Sequence, residues 1–237
     1  MSPGYSPRML PTRRARLIAF DLDGTLVDSS RDLCTALNRA LPRLLPGTPA
    51  LDLDVVRGFI GEGALLLLRR SLDHVGRPEV AAEDLLPVFL DAYRGCLLDT
   101  TLPYPGVSEA LDALASAPDQ PALAVLTNKP GDLSRALVDG LGWSGRFARV
   151  LGSGDGLPRK PDPAGLRWLM TECGAAAGET ALVGDSRIDV LTGRAAGVFT
   201  LGVDWGLDPS GLRAAAPDVV VSDARALVRA LRGSVLG

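Results

Sequence analysis

The chain has 237 residues, 46% of them hydrophobic and 22% charged, with a formal net charge of −3 and a pI near 5.2. That composition supports a packed core, excludes wholesale disorder and gives no basic footprint for nucleic acid. No apolar run reaches the ~18 residues a spanning helix needs, so no membrane partner is expected and the chain reads as soluble, one large domain or a core with a smaller one attached.

Residues 1–15 hold Pro, Ser and Arg but no apolar core. They read as a flexible leader rather than a secretory signal. Cys34, Cys96 and Cys173 are odd in number and far apart, which fits reduced thiols in a cytoplasmic protein better than a disulfide frame. His74 is the single histidine, so serine-type triads and histidine-ligated metal sites are excluded. Of 25 basic residues only Lys129 and Lys160 are lysines, leaving 23 arginines. A lysine that persists against such a bias marks a place where a compact ammonium matters.

Arg16 to Phe20 reads as a strand buried on both faces. It stops at Asp21-Leu22-Asp23-Gly24-Thr25, where two carboxylates one residue apart face the same side of an extended chain. The glycine lets the backbone turn sharply beside a ligand. Two like charges side by side are costly unless a cation joins them or a proton separates their roles. Next, Ser29-Ser30-Arg31-Asp32 supplies helix-capping chemistry, and Leu33, Leu37 and Leu41 follow at helical spacing. Leu53–Phe59, Ala64–Val75 and Leu85–Leu98 are also helical by periodicity, so residues 29–99 form a helical insertion directly after the first strand. Within it, Gly61 and Gly63 mark a tight turn between helices.

Thr101 to Gly106 returns the chain to the core, residues 16–28 and 100–237. There helices at Val107–Ala117, Asp132–Leu141, Asp162–Cys173 and Arg187–Ala196 alternate with strands. The strands are Ala122–Leu126, Arg149–Leu151, Thr180–Val183, Val198–Leu201 and Val219–Val221. This alternation predicts an α/β fold, a Rossmann-like parallel sheet between helices. Three further strand ends or the loops beyond them carry chemistry. Thr127-Asn128 offers an anion-binding edge. Lys160, framed by Pro161 and Pro163, is an aimed ammonium. Asp185 stops a strand, and Asp189 lies in the first turn of the next helix. For Lys129, just after the anion-binding edge, an outward direction is expected.

Together these segments resemble the haloacid dehalogenase-like hydrolases from about Arg16 to the end. The order is Asp-Leu-Asp-Gly-Thr, a Thr, a Lys-Pro, then Gly-Asp-Ser with a second Asp. Tyr104-Pro105-Gly106-Val107, Leu126-Thr127-Asn128-Lys129-Pro130, Arg159-Lys160-Pro161-Asp162-Pro163 and Phe59-Ile60-Gly61-Glu62-Gly63-Ala64 resemble the phosphoglycolate phosphatase branch. Ile188 departs from it, standing where that branch usually has Asn, and is expected to face away from the metal. The resemblance implies a Mg²⁺-dependent phosphatase acting on a small phosphorylated metabolite, as a monomer or homodimer. It implies Asp21 as nucleophile and Asp23 as general acid and base. The Mg²⁺ ligands would be the Asp21 carboxylate, the Asp23 backbone carbonyl and Asp185, with Asp189 in the outer shell. Thr127, Asn128 and Lys160 would bind the phosphoryl group, and the Gly61–Gly63 turn the leaving group. Asp23 argues against dehalogenation, and Arg31-Asp32-Leu33 does not resemble the phosphomutases. Inorganic pyrophosphatase and a catalytically silent binding protein remain alternatives.

Overall fold

A computed structural model describes residues 15–117 and 120–232. The expected leader lies outside them except for Ala15. The first strand, β1 (Leu17–Phe20), is buried throughout. It is followed by β2 (Val27–Asp28) and four helices, α1 (Ser30–Leu44), α2 (Leu53–Arg57), α3 (Ala64–His74) and α4 (Ala82–Arg94). A short β3 (Leu102–Pro103) then pairs antiparallel with β2, Val27 opposite Pro103 and Asp28 opposite Leu102. The helical layer is thus closed off by a two-stranded neck that periodicity does not reveal, because each strand has only two residues.

Beyond the neck come α5 (Val107–Ala115), β4 (Ala122–Pro130), α6 (Gly131–Gly140), β5 (Arg149–Ser153) and α7 (Ala164–Glu172). The chain ends in β6 (Thr180–Gly184), α8 (Arg187–Ala196), β7 (Phe199–Val203), α9 (Pro209–Ala215), β8 (Val219–Val221) and α10 (Ala224–Leu231). The last two helices are absent from the sequence reading, although each begins at an aspartate cap. Asp208 accepts from the Gly211 amide at 2.9 Å and Asp223 from the Ala226 amide at 2.7 Å.

The main sheet runs β5-β4-β1-β6-β7-β8 with every pairing parallel. β1 sits between β4 and β6, Phe20 level with Val125 and Val183. Strand order therefore reverses across β1, and the crevice at its carboxyl end is where such sheets collect ligands. The pleat divides the core. Ile18 and Phe20 join a cluster that reaches Leu33, Leu37 and Phe89 of the helical layer, while Leu17 and Ala19 pack with Leu166 and Leu169 of α7.

The entry into α1 differs from expectation. Ser29 makes no side-chain cap; its hydroxyl donates to Asp23 at 2.6 Å. Instead Asp28 accepts from the Ser30 amide at 3.0 Å. Asp32, nearly fully buried, accepts from the amides and hydroxyls of both Thr100 and Thr101 at 2.6–3.1 Å. The acid thus ties the first helix of the layer to the segment that leaves it.

Candidate active site

Two strand ends, a helix start and a loop deliver the chemistry. β1 leads into Asp21, whose amide donates to the Val183 carbonyl at 2.9 Å, extending the sheet by one bond. The Leu22 amide donates to Asp21 Oδ1 at 2.7 Å. β6 leads into Asp185, held by the Thr25 hydroxyl at 3.0 Å and the Leu207 amide at 2.8 Å. Gly24, at φ +87°, is required here, because a Cβ would stand 2.3 Å from Asp185 Oδ2. α8 opens with Ser186 donating to Asp189 Oδ2 from its amide, 3.2 Å, and its hydroxyl, 2.6 Å. The loop before α7 supplies Lys160, whose Nζ lies 2.9 Å from Asp21 and 2.6 Å from Asp189.

Asp21, Asp185 and Asp189 are at most 5% exposed, and each offers an oxygen within 4.8 Å of the others. Burial, then Asp189 and Asp21, pushes the Asp185 carboxyl from the ordinary 3.8 to about 8. Burial also raises Asp21, in spite of the neighbouring Lys160. Burial by itself would lower Lys160, but Asp189 and Asp21 more than reverse this, so its ammonium stays charged. Three carboxylates against one ammonium leave an excess of two negative charges in a buried place. Hard oxygen donors with that imbalance fit a divalent cation.

Asp23 has a different set of partners. Its carboxylate accepts from Ser29 and from Lys129 Nζ, at 3.1 and 3.2 Å. Lys129 corrects the outward expectation, its side chain being only 2% exposed. Nζ also donates to the Tyr93 hydroxyl of α4. Burial first, then Asp23 and Asp32, hold that hydroxyl well above the usual tyrosine range, so it stays protonated. Lysine scarcity marks Lys129 in the sequence; nothing there marks Tyr93, or pairs Ser29 with Asp23 and Thr25 with Asp185, which depends on the fold.

Asp21, Asp23, Thr127 and Asn128 line one pocket with Gly61 and Gly63. Thr127 Oγ1 accepts from the Lys129 amide at 3.2 Å. Asn128 Nδ2 donates to the Lys160 carbonyl at 3.1 Å, and its Oδ1 is buried with no hydrogen-bond partner among the described residues. Gly63, at φ +93°, brings the helical layer onto the sheet, since a Cβ would lie 3.2 Å from the Asn128 carbonyl. Gly61 faces open space. Ile188 is buried and does not line this pocket.

This sheet and acid cluster define a hydrolase of the doubly wound α/β class. Residues 18–203 match the family model of the haloacid dehalogenase-like hydrolases, and the chain belongs to that family. Its branch is the one similar to phosphoglycolate phosphatases. It is 39% identical to the phosphoglycolate phosphatase of Pseudomonas putida strain KT2440 over 93% of this chain and 81% of the relative. It is 38% identical to phosphoglycolate phosphatase 1 of Pseudomonas aeruginosa strain PAO1, over 92% and 80% respectively. Among solved structures, a predicted phosphoglycolate phosphatase from Haemophilus somnus 129PT is similar at a TM-score of 0.82 and 29% identity, covering 92% of this chain and 98% of that one.

Proposed function

We propose that this chain is a Mg²⁺-dependent phosphatase whose substrate is phosphoglycolate or a closely similar phosphate monoester, acting through a phosphoryl group carried on Asp21. The observation that supports it is the convergence of Asp21, Asp185, Asp189 and Lys160 beyond β1 and β6, a buried cluster two charges short of balance. The names of the relatives support the substrate class.

The Asp21 carboxylate, the Asp23 carbonyl and Asp185 would hold the ion. Asp189, which accepts from Lys160 and Ser186, would act from one shell out, as the family resemblance implies. When bound, the ion would offset the charge of the phosphoryl oxygens and of the carboxylate approaching them. Asp21 attacks phosphorus, forming a new P–O bond as the ester P–O bond breaks. Asp23 gives its proton to the leaving oxygen. Asp23 then takes a proton from the water that attacks the phosphoryl group, releasing inorganic phosphate and restoring Asp21. Thr127 and Lys160 bind the phosphoryl oxygens as charge builds on them. The layer α1–α4 excludes water and brings Gly61 and Gly63 to the wall of the pocket.

Ile60, Leu67, Phe89 and Leu90 line the rest of the pocket. Such a wall suits an organic leaving group better than the second phosphate of pyrophosphate. Asp21→Asn tests the mechanism, since an amide is neither nucleophile nor anionic ligand. Acid quenching during turnover of labelled substrate should leave phosphate on the wild-type chain and none on the folded variant, with nearly all turnover lost. Label on the variant, or substantial turnover, would remove Asp21 from this role.

A further inference from the structure

We propose that Lys129 selects the leaving group: its ammonium takes the carboxylate of a phosphate ester whose acid stands one carbon from the ester oxygen. The inference rests on the phosphatase reading above and specifies what that site recognises beyond the phosphoryl group.

Lys129 is the one cationic side chain among the described residues lining the pocket. Its Nζ donates to Asp23 and to the Tyr93 hydroxyl, and sits 4.4 Å from the centre of the Tyr93 ring. An ammonium has three N–H groups and no acceptor. Both Asp23 oxygens and the Tyr93 hydroxyl stand within reach of these three, so a ligand carboxylate would take the N–H now shared with one of the Asp23 oxygens. Around it the wall is apolar, from Leu33 and Ile60 to Phe89 and Leu90. An anion meeting the ammonium there gains more than it would in water, and an anion placed elsewhere on the wall loses its hydration without return.

Distance fixes the reach. Asp23 is the proposed proton donor to the leaving oxygen, and Lys129 Nζ stands 3.1 Å from Asp23 Oδ1. The ammonium is therefore beside the leaving oxygen rather than at the far end of the pocket. A carboxylate one carbon away reaches it directly; one several carbons further lies against Phe89 and Leu90 instead. At the phosphoryl end the cation is the other lysine, Lys160, paired with Asp21 and Asp189. The two lysines thus divide the substrate between them.

A simpler role for Lys129, holding Asp23 in place, also slows the alkyl ester more than an aryl ester, whose oxygen leaves with little protonation, but it leaves KM and glycolate inhibition unchanged. Lys129→Met separates the two roles when the full chain with Mg²⁺ is assayed on phosphoglycolate and on an aryl phosphate. The loss of a hydrogen bond between charged groups should lower kcat/KM for phosphoglycolate on the order of 100-fold, largely through KM. The aryl ester, which makes no such contact, should lose far less. Glycolate should inhibit aryl phosphate hydrolysis in the wild type and fail to do so in the variant. Equal loss on both esters, or unchanged glycolate inhibition, overturns the proposal. Should Lys129→Met not fold, Tyr93→Phe decides, since it keeps the ring and the lysine but removes the hydroxyl that orients Nζ. It should weaken phosphoglycolate selectively, and an even effect on both esters overturns the proposal. A wild type that hydrolyses aryl phosphate without glycolate inhibition sinks the leaving-group role alone. A wild type inactive on both esters sinks the phosphatase reading and this proposal with it.

Discussion

Arginine at position 160 would keep the charge of Lys160 and lose its fit. Nζ lies between Asp21 at 2.9 Å and Asp189 at 2.6 Å, with the side chain 1% exposed. A guanidinium is wider and planar, and cannot take the same point among buried oxygens. Lys160→Arg should reduce kcat/KM roughly 100-fold or more, the scale of losing one aligned charge contact in a transition state. Steady-state kinetics on the folded variant check this, and near wild-type turnover would show that the spacing is not demanding. The bias toward arginine elsewhere in the chain sharpens the test, because 23 positions already use the larger cation.

Among the elements, the helical layer depends on two contacts that its own periodicity does not encode. Asp32 on α1 accepts four donors from Thr100 and Thr101, all in a buried place. Asp32→Ala leaves those amides and hydroxyls short of an acceptor and should cost on the order of 3 kcal/mol, read by denaturant unfolding. An unchanged midpoint would mean that water replaces the carboxylate. Gly63 is the second contact. Its positive φ and the 3.2 Å approach to the Asn128 carbonyl leave little room for a side chain. Gly63→Val should lower Tm and reduce turnover of all esters together, because the turn and Asn128 are displaced as one. Loss confined to one ester, with Tm unchanged, would instead make the turn a reader of the substrate.

For the whole molecule, the acid cluster couples folding to pH, and the proposed Mg²⁺ would add a dependence on metal. The Asp185 carboxyl, raised from 3.8 to about 8, binds its proton more tightly when folded than when unfolded. Its contribution to stability is therefore fully present below about pH 4 and is lost as pH rises through about 8. A divalent ion that replaces the proton restores what is lost. The rise in Tm on adding Mg²⁺ to metal-free protein should then grow from about pH 4 to about pH 8. A Tm increment that does not change across that range would contradict the proposed role of Asp185 as a metal ligand.

The α/β class, the helical insertion and the acids at the strand ends were all legible in the sequence. They rest on local patterns: apolar runs of strand length, helical periodicity, and the abrupt change to Asp-Leu-Asp-Gly-Thr and Gly-Asp-Ser. The two aspartate caps of α9 and α10 are equally local, but the helices they open are only 7 and 8 residues long, about two turns of periodicity. Local pattern could not say which way Lys129 points, since its direction follows from an irregular stretch at the end of β4 and from Tyr93, 36 residues earlier on another element. Nor could it show that Ser29 serves Asp23 rather than its own helix, or that Asp32 holds Thr100 and Thr101 across 68 and 69 positions. A buried polar group must find its partner wherever the fold brings one. The tertiary structure therefore decided the pairings, while the sequence by itself determined which residues had chemistry to pair.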